Sequence, residues 1–145
     1  MRVMQITDRV TFPFGLDTQS GRILQMSAHT SDMEGKPPLQ GRPGDELVVD
    51  GGRLAARQVA LNLLATLRHA AGDLNDVRRI LNLIGLGASA KGVVRQPDAV
   101  TAASEIFVEL CGDAGVHARF AIGVAQLPFG ELVEIELVIE PEEVK

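Results

Sequence analysis

Few residues in the chain have the type and spacing to do chemistry. Glu134 and Glu136 alternate with Val133, Ile135 and Leu137, so in a strand both carboxylates fall on one sheet face. Two carboxylates there must meet solvent, a cation or another subunit. Arg119 opens a second apolar run, with Ala121, Ile122 and Val124 behind it. A guanidinium held at the mouth of a strand offers a bidentate fork for a carboxylate, although the pattern alone leaves it one of several surface arginines. His29, His69 and His117 are widely separated and lack metal-ligand spacing. His69 falls on the polar side of a helix and reads as solvated, His117 as structural, and His29 as a loop residue that could line a cleft. The single cysteine, Cys111, follows Leu110 and reads as a buried, inert thiol. Alone it makes neither an internal disulfide nor a cysteine-based zinc site. No glycine-rich phosphate loop of either common spacing occurs.

The elements that must position these groups follow from periodicity and breakers. Residues 2–7 and 22–28 read as strands, with Phe12-Pro13-Phe14-Gly15 as an extended kink and Gln19-Ser20-Gly21 as a turn. Residues 30–44, rich in Gly and Pro, read as a surface loop. A helix then opens with Asp50 as N-cap and runs to Gly72, its stripe formed by Val59, Leu63, Leu67 and Ala71, widened by Ala56, Ala60 and Leu64. Arg57 and Arg68 point away from that stripe. Residues 77–86 are apolar on both faces and read as a central covered strand. A second helix is expected over 97–110, with Pro97 near its start and Ala103, Ile106, Phe107 and Leu110 inward. Strands over 118–125 and 132–139 complete an α+β pattern, a mixed sheet carrying two helices on one face. The sheet's other face then needs a cover, for which another subunit is the natural candidate.

Composition narrows the function classes. At 145 residues the chain, 1–145, reads as a single domain. Fourteen basic against nineteen acidic residues leave a net charge of −5, which opposes a phosphate-tracking nucleic-acid binder. There is no Trp or Tyr and only five Phe, too few for base-stacking platforms. No apolar run is long enough to cross a membrane and the N-terminus is too polar for a secretory signal, so a cytoplasmic location is expected.

The segment ARFAIGVAQLPFGELVEIELVI, starting at Ala118, closely resembles the C-terminal signature of the RidA/YjgF family, also known as endoribonuclease L-PSP. The matching residues are Arg119, Leu127-Pro128 and Val133-Glu134-Ile135-Glu136. The resemblance extends upstream through residues 55–64, 72–80 and 21–28, with Pro13-Phe14 where the family has Pro-Tyr or Asn-Tyr. It implies a chorismate-mutase-like α+β fold assembled as a homotrimer, three sheets forming a barrel with helices outside and sites in the clefts between subunits. The activity it implies is hydrolysis of enamine/imine intermediates to 2-oxo acids and ammonia, without metal or organic cofactor. Arg119 matches the family's carboxylate clamp, and Glu134 the glutamate that orients water. Ser27 matches a serine beside the site.

Around this anchor the chain departs from the family pattern. Phe14 replaces a tyrosine, Thr101 an asparagine, Ala121 a frequent cysteine, and Ala28 a glycine that would allow close backbone approach. The first expectation is therefore a deaminase of altered substrate range. The alternative is a non-catalytic trimer binding a small carboxylate, and the third is the older ribonuclease assignment, which charge and aromatic content oppose.

Overall fold

The computed structural model describes residues 15–32 and 47–142. The expected strand over 2–7, Phe14 and most of the loop over 30–44 lie outside them. The described chain builds β1 (Asp17–Ser20), β2 (Ile23–His29), α1 (Leu47–Ala71), β3 (Val77–Ala88), α2 (Gln96–Cys111), β4 (Ala118–Val124) and β5 (Val133–Pro141). The five strands form one sheet in the order β1-β2-β5-β3-β4. Only β3 and β4 are parallel, joined by α2; β5 runs antiparallel to both β2 and β3. This is the mixed α+β sheet expected, with β5 rather than β3 at its centre.

Alternation assigns each strand's faces. Val133, Ile135, Leu137 and Ile139 of β5 are buried, and with Leu24, Met26, Ile80 and Leu83 they meet both helices. From α1 come Val59, Leu63 and Leu67; from α2 come Val100, Ala103, Ile106 and Phe107. The stripes read from periodicity are thus the buried ones, except that Leu110 is 56% exposed on α2's outer side.

Two local readings change. Gln19 and Ser20 belong to β1, and the turn is the two-residue link Gly21-Arg22, with Gly21 at φ 58°. That conformation is the one glycine supplies at the first position of a tight hairpin. The first helix begins at Leu47, so Asp50 is not its cap but lies in the first turn, where its carboxylate still complements the helix dipole. Gly52 lies inside α1 at a point where α2 passes close by. A Cβ on Gly52 would come within 2.8 Å of the Ala99 Cβ.

Among the described residues of the single chain, nothing covers the face opposite the helices. Glu134 and Glu136 lie on it, across from Leu86 and Ile84 of β3, which in turn adjoin Ile122 and Phe120 of β4. Phe120 and Ile122 remain 48% and 47% exposed. Among the described residues this face is apolar toward β4 and acidic toward β5.

Candidate functional site

Arg119 lies opposite Leu83 in the β3–β4 register, so its side chain leaves β4 on the helix side of the sheet. There it lies against α2. Its Nη2 donates to Thr101 Oγ1 at 3.0 Å and to the Pro97 carbonyl at 3.4 Å, and its Nη1 donates to Ser104 Oγ at 3.3 Å. Thr101 gives its own hydroxyl hydrogen to the Pro97 carbonyl at 2.7 Å, which frees its lone pairs for the guanidinium. At most three of the five N–H donors are engaged by these bonds, and the two longest are exchangeable for a stronger, charge-assisted partner. The group is solvent-exposed and anchored at one side, ready to take an anion at the other.

Ser104 is a site residue that pattern reading did not find. It stands three residues after Thr101 and so shares its helix face, a relation that pairing Arg119 with Thr101 would have exposed. Ser104 also meets His117, with Oγ 3.0 Å from Nε2, while His117 Nδ1 lies 2.6 Å from the Gly115 carbonyl. Phe107 contacts the same imidazole edge-on at a centroid distance of 6.1 Å. Burial first, and the Arg119 charge in addition, hold His117 below the usual histidine range, against the opposing pull of the Gly115 bond. Ala121, two residues on, packs partly buried against the core on the same face.

The second group of expected site residues lies elsewhere. Ser27 and Ala28 sit where the β2–β5 register slips between Met26 and His29. Ser27 donates its hydroxyl to the Gly15 carbonyl at 2.7 Å and its amide to Leu16 at 2.8 Å. With Gln25, Asp17 and Glu136 they line a groove of about 550 Å³, across which Gln25 Nε2 donates to Glu136 at 3.0 Å. His29 is bound at both ring nitrogens, by the Ser27 carbonyl and Thr66 Oγ1, each at 2.7 Å. It therefore ties the irregular end of β2 to α1, while also lining a shallow hollow beside Asn62.

Glu134 faces the open side of the sheet. Burial, and then the charge of Glu131, raise its carboxyl above the ordinary range. Glu131 itself is 1% exposed and accepts from Ser31 Oγ at 2.7 Å. Arg119 and Glu134 thus occupy opposite faces of the sheet within one chain. From Ser27 to Arg119 the path crosses three strand spacings, about 14 Å. Arg119 and Thr101 are brought together, as are Ser27 and Ala28, but the two groups and Glu134 are not.

The remaining reactive groups stay apart. His69 is exposed, as expected, and Cys111 is half-buried rather than fully enclosed, with burial pushing its thiol pKa up. Among the described residues no cluster of three or more His, Cys, Asp or Glu could hold a metal ion. No helix among them is long and apolar enough to cross a membrane.

Residues 14–140 match the family described as "YjgF/chorismate mutase-like, putative endoribonuclease". The chain belongs to that family. A relative, Protein TCP17 of Trypanosoma cruzi, is 34% identical over 122 residues, covering 83% of this chain and 76% of the relative. The crystal structure of Atu1372 from Agrobacterium tumefaciens, a protein of unknown function, superimposes with a TM-score of 0.84 at 35% identity, over 89% of this chain and 84% of that one. RidA from an Antarctic Psychrobacter species shares the YjgF fold at 23% identity, with a TM-score of 0.60 over 91% of each chain.

Proposed function

We propose that the chain hydrolyses 2-imino acids to 2-oxo acids and ammonia in clefts formed between three copies of itself. The observation that carries this reading is the mounting of Arg119 on α2, charged, exposed and with N–H donors to spare. Its fork takes the substrate carboxylate. A 2-imino acid is already reactive toward water, so holding it beside a positioned water supplies most of the catalysis. Glu134 takes a proton from that water as its oxygen adds to the imine carbon; the proton passes to nitrogen, and the carbinolamine collapses to the 2-oxo acid and ammonia. A carboxyl held above its ordinary pKa is the better base for this step.

The intersubunit cleft is supported by the division of the site. Arg119, Thr101 and Ala121 sit at the β4 edge, Ser27 and Ala28 three strands away, and Glu134 on the opposite face. A neighbouring copy seated on the open apolar face would bring the β2 groove of one chain to the Arg119 edge of the next.

A second reading, a binding protein for a small carboxylate, draws on Thr101. Its hydroxyl is committed to Pro97 and Arg119, so it braces the anchor and leaves none of its own hydrogen for a substrate. Ammonia release from enzymatically generated 2-iminobutanoate separates the two. Acceleration by the wild-type protein that collapses in Arg119→Ala supports hydrolysis; binding of 2-oxobutanoate without acceleration supports the second reading. The absence of both effects removes both readings.

A further inference from the structure

The Ser104–His117 contact is not used by the hydrolysis proposed above, and its geometry dictates where protons sit. The Gly115 carbonyl can only accept, so the His117 nitrogen 2.6 Å from it, Nδ1, carries hydrogen in either charge state. In the neutral ring Nε2 is then a bare acceptor, and the Ser104 hydroxyl, 3.0 Å away, must point its hydrogen at it. Both Ser104 lone pairs remain as acceptors, and one takes Arg119 Nη1 at 3.3 Å. Protonation of the ring reverses this. Nε2 becomes a donor, Ser104 Oγ accepts from both His117 and Arg119, and its hydroxyl hydrogen turns outward beside the guanidinium.

We propose that a carboxylate seated on Arg119 is taken up together with a proton on His117, with Ser104 as the arm that converts that proton into an additional hydrogen bond to the anion. The proposal rests on Arg119 being the anion site. The groups facing the imidazole are Ser104 and Phe107 from α2, the Gly115 carbonyl from the preceding turn, and Arg119 from β4, the charged neighbour whose field acts on it. With Arg119 unliganded, burial and, to a lesser extent, that field disfavour a proton on the ring; an anion on Arg119 offsets the field, so the ring takes up a proton more readily in the loaded protein. Linkage makes the effect reciprocal, so a lower pH tightens anion binding. His117 is a positioning residue acting through Ser104, which touches only the anion, and neither needs contact with the reacting carbon.

Calorimetric titration of the full chain with 2-oxobutanoate between pH 6 and 8, in buffers of different ionisation enthalpy, tests this, alongside NMR titration of the His117 ring. Affinity should rise by about tenfold at most per unit fall in pH, between the ring's pKa values in the free and loaded protein, and the binding enthalpy should depend on the buffer. His117→Gln should bind with neither dependence, and Ser104→Ala should lose affinity at pH 6 but little at pH 8. A pH-independent wild-type affinity, or a slope that survives His117→Gln, overturns the proposal. Without any ligand, Arg119→Ala should raise the His117 pKa; an unmoved pKa refutes the coupling even if Arg119 binds anions. Absence of 2-oxobutanoate binding by the wild type refutes the anion site itself, and the proposal with it.

Discussion

Replacing Phe120 and Ile122 together with glutamate should separate the copies of this chain. Both side chains lie on the open face of β4, 48% and 47% exposed in the isolated chain. Taking a phenylalanine as about 200 Å² and an isoleucine as somewhat less, about 100 and 80 Å² are left uncovered. At about 25 cal/mol per Å², covering them contributes about 4.5 kcal/mol per protomer, roughly a thousandfold or more in association. Glutamates would forfeit that gain and add the cost of burying unpaired carboxylates in the contact. Neighbouring Glu134 and Glu136 on the same face would compound the repulsion. Sedimentation equilibrium at micromolar concentration should give a trimer mass for the wild type and a monomer mass for Phe120→Glu/Ile122→Glu, with unchanged far-ultraviolet circular dichroism. A monomeric wild type, or a double variant still trimeric at that concentration, would refute the view that this face assembles the protein.

Other consequences are open to direct measurement. Glu134 has its carboxyl raised by burial and by Glu131, so the folded state holds its proton to higher pH than the unfolded one, and stability falls as pH rises through that interval. Glu134→Gln should therefore raise Tm at pH 7, with the gain shrinking as pH falls and vanishing below the ordinary carboxylate range in melts at about pH 3. Gly85→Ala should destabilise by about 1–3 kcal/mol in urea unfolding, because its Cβ would fall 2.6 Å from Val100 Cγ1; pairing it with Val100→Ala should recover most of the loss. Phe107→Ala, at a fully buried ring, should cost about 3–5 kcal/mol in the same assay and free the His117 imidazole that the ring contacts.

The sequence was most readable where one periodicity ran unopposed. Val59, Leu63 and Leu67 recur at helical spacing and are all fully buried, and the alternation through Glu134 and Glu136 matches the two faces of β5. Reading failed where a distant element overrode local preference. The helix expected to open at Asp50 begins at Leu47 and runs on through Gly52, where α2 needs the space beside Ala99. Leu110 continues an apolar pattern at the outer end of α2, beyond the reach of the sheet, and stays exposed. For the site, residue types marked Arg119 and Glu134 individually but carried nothing about their opposite faces. That relation depends on β4 pairing with β3 in parallel and β5 pairing with β3 on its other side. Ser104 escaped notice because serine in a helix has no signal of its own; its role follows from what reaches it from β4.

β5 sits between β2 and β3, yet it follows every other described strand in the chain. The β1–β2 hairpin and the β3–α2–β4 unit therefore share no sheet bond until the last strand is inserted between them. On the ribosome these two pieces must wait side by side, each with an unsatisfied strand edge and an uncovered apolar face, while the stretch that joins them is still being made. Folding of the whole sheet is thereby tied to late, long-range pairings, the slowest kind to form. The interval before β5 arrives is the period in which a nascent chain is most open to wrong partners, other copies of itself included.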